Sequence, residues 1–225
     1  MKDFLLSEPI LRFVTASIIG TIFWCVFFYL PPINFSIMLF TILCTILITE
    51  WKNFFKLNDF WFWFIMPWYP ILPFAILIYM NSVPDYRTLL YYLFMIVFAF
   101  DSTAYVTGKL MGVHKIVPQL SPGKTIEGCI GGFFGALITV YFALEYSQIT
   151  LRYDQLITLT FMTCAMAFVG DIFESFLKRK AHIKDSGNIL PGHGGFLDRF
   201  DAVMMASFFF FMFRNELVSM LCLPV

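Results

Sequence analysis

Ten charged side chains crowd the stretch from Gly170 to Asp201 of a chain that is 60% hydrophobic and only 13% charged. Asp171 and Glu174 stand at its start, Asp198 and Asp201 at its end. Lys178, Arg179, Lys180 and Lys184, followed by Asp185, lie between, and Arg199 sits inside the last pair. Carboxylates at both ends with cations in the middle suit a metal-bound polyphosphate. Carboxylates hold a hard cation, while lysines, arginines and backbone amides hold phosphate oxygens.

Spacing sharpens that chemistry. Asp171, Ser175 and Lys178 fall at i, i+4 and i+7, one face of a helix. Asp198 and Asp201 share a face if their segment is helical. Between them Pro191-Gly192-His193-Gly194-Gly195 must form a loop, whose glycines let backbone N–H groups approach an anion. The blander account is a cytoplasmic loop carrying topogenic charge. Such a loop has no need of Asp-x-x-Asp and Gly-Gly at its edges.

A second polar group precedes it. Asp101 lies inside an apolar run, where a charge is costly and marks a functional site or a structural ion pair. Ser121-Pro122-Gly123-Lys124-Thr125 follows. Gly123-Lys124-Thr125 looks like the tail of a Walker A loop, but proline occupies position 118, where the first glycine belongs. The spacing predicts Ser121, Lys124 and Thr125 at a helix N-terminus, which favours phosphate.

Together these segments resemble the phosphatidate cytidylyltransferase (CDP-diacylglycerol synthase) family. Ser175, Leu177, Lys178-Arg179, Lys184-Asp185, Gly187, Pro191, His193-Gly194-Gly195 and Asp198-Arg199-Phe200-Asp201 occupy the defined positions of its C-terminal signature. Asp101, Ala104, Tyr105, Gly108, Ser121, Pro122, Lys124, Thr125, Glu127 and Gly128 match its earlier motif. The resemblance covers residues 95 to 205; the N-terminal third matches only as generic apolar spans.

What the resemblance implies is a nucleotidyltransferase of phospholipid biosynthesis. It would join CTP and phosphatidate into CDP-diacylglycerol and diphosphate. Asp171 and Asp198 would hold Mg²⁺, with Asp201 as a further ligand or a partner to one, and a second cation such as K⁺ beside them. Asp171, Lys178, Asp198 and Asp201 form the expected catalytic group. Lys178 and Arg199 would contact phosphates; Ser121 and Lys124 would bind the nucleotide or the lipid headgroup. His193 would orient the loop or bond a phosphate, and Gly194 and Gly195 would offer amides to the triphosphate. Asp101, Thr125, Ser175, Arg179, Lys184 and Asp185 complete the expected substrate-binding set. A homodimer in a bacterial cytoplasmic membrane also follows from the family. Other readings are a CTP-dependent isoprenoid-lipid kinase, a cation-coupled transporter using Asp101 and Asp171, and a non-catalytic scaffold.

The elements that must position these groups are membrane helices. The 225 residues have a mean hydropathy of +0.79, zero formal net charge, 30 phenylalanines and five tryptophans. Too little polar surface remains to coat a soluble globule. A spanning helix takes roughly 20 apolar residues, so the expected architecture is an all-α, polytopic membrane bundle of about seven spans. It forms a single membrane domain, with N-terminal spans in 1–87 and catalytic helices and loops in 88–225. No basic-aromatic stripe suggests nucleic acid. The five cysteines lie in apolar segments and read as small core residues.

Spans are expected near 11–30, 33–49, 60–80, 88–107, 125–144, 155–176 and 200–223. The first is uncleaved and pairs tightly with the second across Pro31-Pro32. The third is kinked by Pro67, Pro70 and Pro73. Gly128, Gly131, Gly132 and Gly135 give the fifth a close-packing face. Glu50-Trp51-Lys52 should mark a loop, and Trp51, Trp61, Trp63 and Trp68 an interfacial belt. A cytoplasmic N-terminus leaves only Arg87, Arg152 and Arg214, of fifteen Lys and Arg, on the far side.

Overall fold

The structure is a computed structural model and describes residues 8–190, 192 and 194–221. The expectations for Pro191, His193 and Cys222 lie outside the described residues. Among the described residues every regular element apart from one short ribbon is helical. Five described helices are long and apolar enough to cross a membrane, six if a bent pair counts as one span, and a shorter apolar helix covers Val14–Tyr29. The chain is an integral membrane protein of nearly all-α class. It divides into two compact units.

The first unit comprises Met1–Ser82 and Leu177–Phe200. Helix α1 (Glu8–Tyr29) stops before Pro31-Pro32, and α2 (Pro32–Thr45) starts on a proline, whose missing N–H is no loss there. Phe35 meets Phe23 and Phe27 edge-on at 5.2 and 4.9 Å, which closes the expected hairpin. The second span does not end before Glu50. It continues through a π-helical turn, Ile46–Glu50, and a last turn, Trp51–Phe54. Glu50 is therefore part of the span, and fully buried.

Trp51 is fully buried as well, its indole donating to the Phe62 carbonyl at 3.2 Å. It belongs to the core and not to the belt, while Trp61, Trp63 and Trp68 are exposed. The third span is broken as its prolines predict: α3 (Phe60–Ile65), a π-helical turn (Pro67–Ile71) containing the extended residue Tyr69, then α4 (Leu72–Ser82). Asn81 pins α4 to α2 by donating to the Pro32 carbonyl at 2.7 Å and to Ser36 Oγ at 2.9 Å.

The second unit comprises Val83–Phe176 and Asp201–Val225. Helix α5 (Pro84–Met111) leads to an antiparallel ribbon, β1 (Lys115–Val117) and β2 (Ser121–Thr125). Helix α6 (Ile126–Tyr146) lies along α5. A β-carbon on Gly131 would strike Thr107, on Gly132 would strike Phe100 and Ala104, and on Gly135 would strike Thr103. The glycine face thus brings the two backbones together, and Thr103 and Thr107 each reach a carbonyl of α6 at 3.3 Å.

Helix α7 (Tyr153–Lys180) outlasts its expected span by a turn, so Lys178, Arg179 and Lys180 occupy its last turn, where the helix dipole favours cations. The final span is not straight: α8 (Leu197–Met212) and α9 (Arg214–Met220) meet at 78°. At the break the Arg214 guanidinium donates to the Phe211 carbonyl at 2.8 Å. Of the cysteines, Cys164 is buried but Cys25 is exposed, and the described ones are free thiols.

Gly132→Ile should wedge α5 from α6. Overpacking costs about 1–3 kcal/mol, and a melting curve in detergent should fall by several degrees. An unchanged curve would mean that the glycine face is not a tight contact.

Candidate active site

Within the second unit the acidic residues of α7 and α8 converge because Gly170 has no side chain. A β-carbon there would run into the Asp201 carbonyl oxygen, so the helices touch through backbone at that point. Asp201 is buried, with 6% of its surface exposed, and its carboxyl bonds to those of Glu174 and Asp171. Carboxyl groups in contact need a proton or a cation between them. Part of that charge comes from β2: Lys124 Nζ forms an ion pair with Asp171 Oδ2 and lies over the Phe168 ring at 5.6 Å.

Burial works against the Lys124 ammonium, but Asp171, and then Asp101 and Asp201, outweigh it and raise its pKa above the ordinary lysine value. The structure therefore gathers Asp101, Lys124, Asp171 and Asp201 from α5, β2, α7 and α8. It adds Glu174, to which the sequence had assigned no role. The available signal was its position three residues after Asp171, on the same helix face.

The expected helix N-terminus after the earlier motif is present one residue later than the lysine. Thr125 is the N-cap of α6, its Oγ1 accepting from the Gly128 amide at 3.1 Å. Ser121 and Lys124 instead lie in β2, because the chain reverses at 118–120 and pairs with β1 first. Ser121 is half-buried, and Ser175, one turn after Asp171 on α7, is half-buried too.

Within the first unit a second cluster forms around Asp198. Its Oδ1 receives Lys178 Nζ at 2.7 Å. Its Oδ2 accepts from the Ser186 amide at 2.9 Å and the Gly195 amide at 2.8 Å, with Ser186 Oγ also at 2.9 Å. The Gly195 N–H therefore serves Asp198 and is not offered to an outside anion. Gly194 takes φ +81°, and a side chain on it would press on Asp198 Oδ2. Arg179, Lys184, Asp185 and Arg199 are exposed, and Arg179 bonds the Ile183 carbonyl at 3.3 Å.

Glu50 closes this cluster from below. Its Oε1 accepts the Phe196 amide at 2.7 Å, and its Oε2 accepts the Leu197 amide and Ser186 Oγ, both at 2.9 Å. Sequence reasoning had taken Glu50 only as a loop marker. Nothing local announces a partner 136 to 147 positions away.

The pattern of the cytidylyltransferase family matches residues 4–217. The chain belongs to that family. It is 43% identical over 129 residues to a phosphatidate cytidylyltransferase of Haemophilus influenzae, covering 56% of this chain and 45% of that protein. Over 113 residues it is 47% identical to one from Staphylococcus aureus, covering 50% and 44%. Over 117 residues it is 42% identical to one from Bacillus subtilis, covering 52% and 44%. In these matches the chain spans less than half the length of the curated relatives.

Lys124 holds its proton more firmly in the folded protein, so the pair contributes fully below the unfolded lysine pKa of 10.5 and fades only as pH rises through the raised folded value. Lys124→Met should therefore lower the melting temperature throughout about pH 6 to 9, while Lys124→Arg retains most of it. A Met variant that melts like the parent would show that the ion pair adds nothing.

Proposed function

We propose that the protein is a phosphatidate cytidylyltransferase, converting CTP and phosphatidate to CDP-diacylglycerol and diphosphate. The observation that carries this reading is the carboxylate cluster of Asp171, Asp201 and Glu174 with Lys124 paired to it, in a chain of the cytidylyltransferase family. The relatives named above carry that activity in their names.

The reaction brings two phosphorylated anions together, so its demand is for positioning and charge neutralisation. An oxygen of phosphatidate attacks the α-phosphorus of CTP. The bond to the β-phosphate breaks and diphosphate leaves. The attacking phosphate is already ionised, so no side chain has to remove a proton. Lys124 and Lys178 would each exchange a carboxylate partner for a phosphate oxygen when substrates arrive. Arg199, exposed on α8, would add a further phosphate contact.

Among the described residues no three His, Cys, Asp or Glu side chains are grouped as a metal cage, but the chemistry of the acidic pair suits a hard cation. Asp171 and Asp201 place carboxylate oxygens against each other, an arrangement that a divalent ion relieves. Asp198 precedes Asp201 by three positions on α8, so both carboxylates leave one face of that helix. Mg²⁺ held there would neutralise phosphate oxygens and favour attack at the α-phosphorus. A second cation such as K⁺ would balance the remaining acidic charge. The distribution of lysine and arginine supports a site on the cytoplasmic side, and the bacterial relatives support a cytoplasmic membrane.

Purified protein in mixed micelles with CTP, phosphatidate and Mg²⁺ should release diphosphate and CDP-diacylglycerol, and EDTA should stop it. Asp171→Asn and Asp201→Asn should each reduce turnover at least about a hundredfold while the protein still folds. Release of CDP in place of diphosphate would favour a lipid kinase. Near-parental turnover in both variants would remove the carboxylates from the site.

A further inference from the structure

We infer that Glu50 is a positioning residue of the transferase site, fixing Ser186, Phe196 and Leu197 so that Asp198 is presented in one orientation; the inference rests on the function proposed above. Glu50 is fully buried, at the π-helical turn that ends the regular part of the second span. Such turns redirect side chains by one position relative to an unbroken α-helix and recur at functional sites. A buried carboxylate is tolerated only when donors meet both oxygens. Here all three donors come from the segment that carries Asp198.

The first turn of α8 is the key to the geometry. A helix normally satisfies its leading N–H groups with an N-cap side chain. The residue before Leu197 is Phe196, which has no acceptor on its side chain. Glu50 takes that role from a distant span, with one oxygen on the Phe196 N–H and the other on the Leu197 N–H. The next residue is Asp198. Its backbone is therefore anchored through the two peptide groups immediately before it.

A second route runs through Ser186. Its hydroxyl lies 2.9 Å from both Glu50 Oε2 and Asp198 Oδ2, and its one proton can serve either. The approach is close because Gly195 lacks a side chain: a β-carbon there would collide with Ser186 Oγ and the Glu50 carboxylate. Asn53, one turn after Glu50, holds the same loop by donating to the Ser186 carbonyl at 2.8 Å. Removal of the Glu50 charge would leave leading amides of α8 in need of an acceptor. The nearest carboxylate on that helix is Asp198 itself, which would be drawn from Lys178.

Glu50→Gln keeps the side-chain length and one acceptor oxygen, but sets an amide NH₂ against an N–H donor. Glu50→Asp keeps the charge and withdraws it. Steady-state kinetics with CTP and phosphatidate should show Glu50→Gln losing about tenfold to a hundredfold in kcat, with KM for CTP changed less than about threefold. Glu50→Asp should recover part of that loss. Amide hydrogen exchange should show Phe196 and Leu197 losing protection in Glu50→Gln, while the Gly132 region of α6 keeps its own. A kcat that falls only with the folded fraction, or unchanged protection at 196–197, would overturn the positioning role. If the parent protein itself releases no diphosphate, the transferase reading fails, and the exchange result still decides whether Glu50 holds the segment.

Discussion

A carboxylate taken out of water must be met by donors or cations, and that requirement organises both halves of this protein. The penalty for leaving one unmet is several kcal/mol, comparable to the whole stability of a domain. Glu50 and Asp198 meet it with backbone amides, a serine hydroxyl and Lys178. Asp171 meets it with Lys124, while Asp201, against Asp171 and Glu174, needs a proton or a cation shared between the carboxyls. Around these groups the apolar helices have few ways to pack that satisfy every oxygen.

The two clusters solve the problem differently. Around Asp198 two main-chain amides, which are fixed, share the carboxylate with a serine hydroxyl and Lys178. Around Asp171 and Asp201 the neutralising partner is one lysine on a ribbon, and the carboxyls otherwise face each other. The first arrangement suits a rigid frame, the second a place where charge arrives and departs.

Much of this was legible in the residues. Period, length and proline placement set the spans, because lipid admits few alternatives to a helix. The glycine face of α6 and the broken third span could be read for the same reason. The acids and lysines were legible from type and spacing. Two features were not. The fold of Ser121–Thr125 into a strand depends on pairing with Lys115–Val117, a non-local choice that short polar segments do not encode. Glu50 looked like a loop charge because its partners lie at the other end of the chain. Likewise Trp51 could be told from Trp61 only by the fold that buries it and gives its indole the Phe62 carbonyl.

Gly170 contributes no functional group, yet it sets the distance across the acidic pair. Since α7 meets α8 there through main-chain atoms, the separation of the two backbones beside Asp171 and Asp201 is not adjusted by a change of rotamer. A side chain at that position would have to push the two helices apart, so the contact between the acidic groups originates in the smallest residue of the helix.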